Sequence, residues 1–550
     1  VDLPLEPTSD ARLEPTSDAR IAPSDYFPYA SYRPGQREAL EAARAAFNKG
    51  KRFVVIEAPT GAGKSGIAVT LAREARSSYI LTVQKLLQDQ YVRDFPDLGV
   101  VKGRSNYPCL VADTHAGAAP CMAGRKYPIC QDCSYLIAKE DAVHAQVATL
   151  NYAYFLAEAN HQGAFSKRDL LILDEAHNTE EMLMRFVEVY ISRTTLARAG
   201  IQLEFPKTDE PDERVDFALG LIPTLMKSLS SLEDEIGKLE DVPPDLAIHK
   251  TELEGLVHRL RLLESNPDAW VCEEGGWLEG ARGEGREAWW WRFRPIWVAP
   301  FAEESLFSHA RRVLFLSATI LDAETFLRAL GVPLEEAAFI RVPSSFPPRN
   351  RPIYPLNVAR LNRDTLEAEL PKLTDVIAKL LDKHNQKGVI HAHSYRVLRH
   401  LIDHLPARHR PRLIYHTGPE GREDALTRHL SSRTNHGHGG SVLLTPSMTE
   451  GIDLMGDLAR WQVIVKVPYP YLGDPQVSTR RAIDPAWYEW RTALRLVQAY
   501  GRAVRSQDDH AVTYVLDALF PGWVRRQQER LPRWFLEAVA PEARTGGTGG

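Results

Sequence analysis

The sequence is short of features that would take it out of water or into an oxidising compartment. No apolar run approaches the ~18 residues that a membrane span needs, so no membrane contact is expected. Val1-Asp2-Leu3-Pro4 carries no basic stretch ahead of an apolar one, as a secretory leader would, and the expected compartment is the cytoplasm. Positive charge is not in excess. Sixty-seven Lys and Arg against 72 Asp and Glu leave a formal net charge of −5. That balance excludes binding nucleic acid by a uniformly basic surface and leaves room only for a local basic groove. Cysteine is scarce, at five in 550 residues, yet Cys109, Cys121, Cys130 and Cys133 fall within 25 residues of one another. In a reducing compartment such crowding argues against disulfides and for metal or cluster ligation. No nuclease signature appears. Internal repetition is limited to two copies of LEPTSDAR at residues 5–12 and 13–20, too short for a solenoid. The polar, proline-bearing residues 1–24 are expected to be disordered and residues 542–550 to be a flexible tail.

What is present is chemistry for a nucleotide. The length alone suggests three or four domains. Phe53-Val54-Val55-Ile56 reads as a buried strand. Ala58-Pro59-Thr60-Gly61-Ala62-Gly63-Lys64-Ser65 follows, and an apolar helix begins at once. Strand, glycine turn and helix form the context of a phosphate-binding loop. Gly61 and Gly63 let backbone N–H groups turn inward, and the helix N-terminus adds its dipole. Thr60 and Ala62 complete the loop, Lys64 reaches the β- and γ-phosphates, and Ser65 holds Mg²⁺. The usual pattern opens with glycine; here Ala58 stands there. Upstream, Tyr32-Arg33-Pro34-Gly35-Gln36 precedes a helix over 37–47, and the Gln36 amide can read the edge of an adenine.

The partner of that loop is Leu170-Leu171-Ile172-Leu173-Asp174-Glu175-Ala176-His177, a strand that ends in acids at its carboxyl end, where α/β sheets place ligands. Asp174 binds Mg²⁺, Glu175 polarises the attacking water and His177 couples the site to its neighbours. A further strand ends in Ser317-Ala318-Thr319, placed to link the pocket to another site. Thr82, Gln84, Lys85 and Gln90 offer donors to a phosphodiester backbone.

The cysteines follow C-x11-C-x8-C-x2-C, a spacing that suits structural zinc or a [4Fe–4S] cluster. Residues 181–295 carry long helical patterns, such as 215–232 and 251–263. The alternating aromatic and basic groups of Trp289-Trp290-Trp291-Arg292-Phe293-Arg294 suit either base stacking or a strand returning to the core, the second being the favoured reading. Prolines between 343 and 352 mark the boundary to a second α/β domain. His391-Ala392-His393 and His436-Gly437-His438 read as core and loop histidines rather than metal pairs. Gln498, Arg502 and Arg505 are spaced to share one helix face, and two guanidinium groups there can reach a γ-phosphate held by another domain.

YRPGQ, APTGAGKS, KGRSNYPC with its three later cysteines, DEAHN, SATI, EGIDL-x-GD and QAYGRAVRS occur in this order. Together they resemble the iron–sulfur superfamily 2 DNA helicases of the XPD and DinG type, over roughly residues 26–520. The resemblance implies an α/β fold with two RecA-like motor domains. It places the first at 25–100, 146–180 and 296–342 and the second at 343–541. An iron–sulfur domain at 101–145 and a helical arch at 181–295 are inserted in the first. It implies an ATP hydrolase, a 5′→3′ DNA helicase that binds single-stranded and forked DNA as a monomeric motor, with DNA repair as the expected setting. Its implied cofactors are ATP, Mg²⁺ and a [4Fe–4S] cluster on Cys109, Cys121, Cys130 and Cys133. Arg33, Gln36, Gly451 and Asp453 join the nucleotide contacts. Cys272 matches no ligand position, and His391-Ala392-His393 departs from the large apolar residues usual there. Three other readings are a translocase that strips proteins with little unwinding, an RNA helicase, and a zinc-containing nucleic-acid scaffold.

Overall fold

The computed structural model describes residues 25–125, 127–203, 205–206, 208–275, 290–344, 346–362, 364–432, 439–446, 454, 456–501, 504 and 509–541. The expected disordered start and flexible tail, the 436–438 histidines, and Gly451, Asp453, Arg502 and Arg505 all lie outside these residues.

In chain order the first strands are β1 (Phe53–Glu57), β2 (Ser78–Thr82), β3 (Gly99–Val100), β4 (Val147–Asn151) and β5 (Arg168–Asp174). The chain then leaves for β6 (Val189–Ser192), β7 (Trp270–Gly275) and β8 (Trp290–Pro295) and returns with β9 (Ala310–Ser317) and β10 (Ala337–Arg341). Seven of these form one parallel sheet in the order β10-β1-β9-β5-β2-β4-β3. β1, all five residues buried, lies between β9 and β10, and its neighbours are as apolar as a sheet covered on both faces requires. The loop after β1 and the acids after β5 flank the end of β9.

β11 (Ile353–Ala359), β12 (Gly388–His391), β13 (Leu413–Tyr415), β14 (Val442–Thr445), β15 (Trp461–Ile464) and β16 (Val512–Asp517) make a second parallel sheet, ordered β11-β16-β15-β12-β14-β13. One apolar core joins the two. Trp487, Trp490 and Val497 of the helix Pro485–Tyr500 pack in the same cluster as Phe315, Ile320 and Phe326.

The inserted segment departs from an all-helical expectation. Its helices Pro211–Lys238 and Pro244–Ser265 cover the predicted stretches. They pack on an antiparallel sheet, β6-β8-β7, whose central strand buries Trp291 and Phe293. The reading of 289–294 as a core strand matches β8 over its described residues. Pro211–Lys238 is also an exception to the absence of span-length apolar segments, since by length and composition it could cross a membrane. Its charged first turn, and Ala218, Leu221, Leu225, Leu232 and Ile236 buried in the inserted core, make it a bundle helix instead.

Candidate functional site

The phosphate loop is built from its strand outward. Ala58 donates its N–H to Ser317 O on β9 at 2.9 Å and is fully buried. The opening residue is thus extended, sheet-paired backbone, where a methyl group fits and glycine is not needed. The loop turns at Gly61 and Gly63, with φ of 81° and 79°, where an L side chain is strained. A Cβ on Gly63 would come within 2.1 Å of Gln36 Nε2. The helix Lys64–Glu74 starts at the loop and buries residues 66–72 without a break, which fixes its N-terminus toward the cleft.

Arg33 and Gln36 brace this loop. Gln36 Oε1 accepts from Arg33 N at 2.6 Å, and its Nε2 donates to Gly63 O at 3.0 Å. Arg33 Nη1 donates to Gly61 O at 2.7 Å. Gln36 is 1% exposed and does not line the cleft, whereas Arg33 does. Both ends of the amide are therefore committed to backbone, and in this state Gln36 shapes the loop rather than reading a base.

Asp174 ends β5 and is 2% exposed. Its Oδ1 accepts from Glu175 N at 2.9 Å, and its Oδ2 accepts from the Tyr91 hydroxyl at 2.8 Å. Burial, then the neighbouring Glu175 carboxylate, push its pKa up to about 6, against the pull of Lys64 and of these two hydrogen bonds. Glu175 adopts a left-handed backbone, φ 50°, that swings its side chain out of the sheet toward the cleft. His177 bonds Ser317 Oγ at 2.8 Å and approaches Glu175 Oε2 at 3.5 Å. Thr319 N donates to Ser317 Oγ at 3.1 Å, and Gln498 Nε2 donates to Thr319 Oγ1 at 3.2 Å. A polar chain thus runs from Glu175 through the end of β9 to the helix Pro485–Tyr500 on the far side.

These groups enclose a cleft of about 460 Å³. One wall is the loop, Lys64, Ser65, Asp174 and Glu175; the other is Ser344, Phe346, Arg351, Gln498 and Trp534. Arg351 lies 5.0 Å above the Trp534 ring, and its carbonyl accepts from the Tyr500 hydroxyl at 2.6 Å. Gln84 and Gln90 also line this cleft, so two residues read as phosphodiester donors face the nucleotide side instead. The helix expected over 498–506 ends at Tyr500, where Gly501 follows and the anchored Tyr500 ring stacks on Trp534. Tyr91 and the Arg351 wall went unread in the sequence. The available signal for Tyr91 was a phenol within the apolar spacing Leu87, Tyr91, Phe95, since a buried hydroxyl requires a partner.

The four clustered cysteines are free and half-buried. Cys109 N donates to Thr114 O at 2.8 Å, Val111 N donates to Cys109 Sγ at 3.4 Å, and Cys133 heads the helix Ser134–His144. Burial raises the Cys121 thiol pKa, Arg104 opposes this, and the thiols of Cys130, Cys109 and Cys133 add to the rise. Among the described residues no three His, Cys, Asp or Glu are drawn close enough to hold a single metal ion. Arg104 is itself held by buried Glu158, through Nε and Nη2 at 2.9 and 2.6 Å. Cys272 lies on β7 of the inserted sheet, with its thiol pushed up to about 11 by burial.

Two family models match the chain: a helicase C-terminal domain over residues 377–538, and the res subunit of type III restriction enzymes over residues 30–201. The ATP-dependent DNA helicase YoaA of Escherichia coli is 23% identical over 93% of this chain and 94% of its own. The ATP-dependent DNA helicase DinG of the same organism is 21% identical over 93% and 94%. A solved XPD helicase superposes with a TM-score of 0.61 at 15% identity, covering 90% of this chain and 98% of that one. Xpd4 of S. tokodaii gives 0.54 at 17% identity, over 92% and 99%.

Proposed function

We propose that this chain is an XPD/DinG-type superfamily 2 helicase that hydrolyses ATP to move 5′→3′ along single-stranded DNA and to open forked duplex, with DNA repair as its setting. The observation that carries this reading is the cleft itself. A phosphate loop and an acidic strand end lie on one sheet, and a polar chain runs from them to a helix of the other.

In this reading Lys64 and the loop N–H groups bind the β- and γ-phosphates, and Arg33 and Gln36 keep the loop in its receiving shape. Ser65 and Asp174 would hold Mg²⁺, which would neutralise charge on the phosphates. Glu175 takes the attacking water's proton-bearing edge and orients it. Arg502 and Arg505, with Gln498, would pair with the γ-phosphate and draw the cleft shut. Loss of the γ-phosphate weakens that pull. His177, Ser317 and Thr319 connect the state of Glu175 to Gln498, so hydrolysis is felt across the cleft. Gly451 and Asp453 complete the nucleotide contacts. Sheets that alternately grip the phosphate backbone step along a strand without reading its bases.

Cys109, Cys121, Cys130 and Cys133 are the thiols that would hold a [4Fe–4S] cluster: all four are free and half-buried, and four thiolates are the donor set such a cluster takes. Bound there, the cluster would fix the fold of residues 101–145, and Arg104 would tie that fold to Glu158. We assign the domain limits as 25–100, 146–180 and 296–342 for the first motor, 101–145 for the cysteine domain, 181–295 for the arch and 343–541 for the second motor.

The test is unwinding of forked duplexes with a 5′ or a 3′ single-stranded arm, with ATPase measured on DNA and on RNA. The expected result is ATP-dependent opening from the 5′ arm, DNA-stimulated ATPase, and loss of both in Lys64→Ala. Opening from the 3′ arm overturns the polarity. ATP-driven translocation without unwinding leaves a protein-stripping translocase, stronger stimulation by RNA an RNA helicase, and full activity of Lys64→Ala a scaffold.

A further inference from the structure

Tyr91 sits behind the cleft on the helix Lys85–Asp94 and is 1% exposed. Its ring packs beside Phe95, 6.0 Å between centroids. Its hydroxyl donates to Asp174 Oδ2 at 2.8 Å. The phenol thus grips, from behind, the acid at the end of β5 that is assigned to Mg²⁺. The remaining oxygen of Asp174 is fixed by Glu175 N. Each carboxylate oxygen therefore has one donor from the protein and keeps a second lone pair for another ligand. A buried carboxylate with only one such donor would be free to rotate about its last bond.

We propose that Tyr91 is a positioning residue for the metal of this site: its hydroxyl holds the Asp174 carboxylate in the orientation that receives Mg²⁺ with the nucleotide. A phenylalanine would fill the same space and leave Asp174 Oδ2 without its donor. The metal would then have to order that carboxylate itself. A charge-assisted hydrogen bond of this kind corresponds to roughly a tenfold change in a binding constant. The phenol contacts no phosphate, so affinity for nucleotide without metal stays unchanged. The inference rests on the nucleotide-site reading above.

The experiment is equilibrium binding of a fluorescent ADP to the full chain and to Tyr91→Phe, titrated with Mg²⁺ from an EDTA-treated start. The expected result is equal ADP affinity without metal and a Mg²⁺ half-saturation roughly tenfold higher in Tyr91→Phe. Equal Mg²⁺ half-saturation in the two proteins overturns the proposal while leaving the nucleotide site intact. Failure of the wild-type chain to bind ADP overturns the site reading itself. A second readout does not depend on the variant folding. With 3-fluorotyrosine at position 91, the ¹⁹F resonance is expected to shift on addition of Mg²⁺ and ADP, and not with ADP in EDTA. No shift with Mg²⁺ and ADP overturns the proposal.

Discussion

At the scale of single residues, the buried polar groups carry the information that composition hides. His429 is fully buried, its Nε2 donating to Leu458 O at 2.9 Å and its Nδ1 accepting from Ser441 Oγ at 3.0 Å. Burial, aided by Lys387 and opposed by the Leu458 carbonyl, pushes the imidazole pKa down to about 4. The unfolded value is near 6.5, so the unfolded chain binds the extra proton between these limits. The stability from the neutral ring is fully present above about pH 6.5 and is lost as pH falls toward 4. Between pH 7.5 and pH 5 this amounts to about 2 kcal/mol. Urea unfolding at the two pH values is expected to show that loss in the wild type and a smaller one in His429→Gln. An equal loss in both removes His429 as the cause. Residues of this kind are not legible in the sequence: a histidine between Arg428 and Leu430 has the same immediate neighbours whether or not Ser441 and Leu458 close over it.

Elements were more legible than their joints. Each motif strand among the described residues was visible as a short apolar run, and Gly61 and Gly63 lay where a positive φ is needed, because both are dictated within a few residues. The antiparallel sheet β6-β8-β7 was not visible, since its strands are short and separated by long helices whose periodicity dominates. Nor was the joint made by Glu57 at the end of β1. Its Oε2 accepts from the N–H groups of Ile320 and Leu321, and its Oε1 accepts from Arg341 Nε at 2.8 Å. Leu321 has φ 67°, a conformation L residues avoid. Glu57 thus holds a strained turn directly after the Ser317–Thr319 end of β9, one residue before the phosphate loop. Glu57→Gln replaces one acceptor with a donor facing donors. It is expected to destabilise the chain by about 2–3 kcal/mol and to weaken ADP binding, measured by denaturant unfolding and nucleotide titration. An unchanged unfolding midpoint would refute the joint.

For the molecule as a whole, a single side chain shows how the two sheets are tied. Arg480 is 2% exposed, pairs with Glu180 and lies 4.1 and 3.8 Å from the Trp297 and Trp487 ring centres. Glu180 opens the helix that follows the acidic strand end, and Trp487 opens the helix that ends at Tyr500. Nearby, Arg294 of β8 bonds Asp474 at 2.7 Å, and Gln476 Nε2 donates to Pro295 O at 2.6 Å, tying the inserted sheet to the second half as well. Arg480→Met leaves Glu180 buried without its partner and is expected to cost about 3–5 kcal/mol. Adding Glu180→Leu is expected to restore most of that, and a double variant no more stable than the single would show the pair is not coupled. None of this could be read from 300 residues' separation along the chain, whereas the order of the motifs could. The same distance acts in time. β1 has no sheet neighbour in the chain until β9 and β10. At roughly 5–20 residues per second of synthesis, an intervening stretch of roughly 250 residues takes about 13–50 s. Throughout that interval the strand bearing the phosphate loop has emerged with both edges open, ready to pair with any strand that comes near. The nascent chain therefore gains its nucleotide-binding loop late, only after the whole insertion has been made, and is most in need of a chaperone before then.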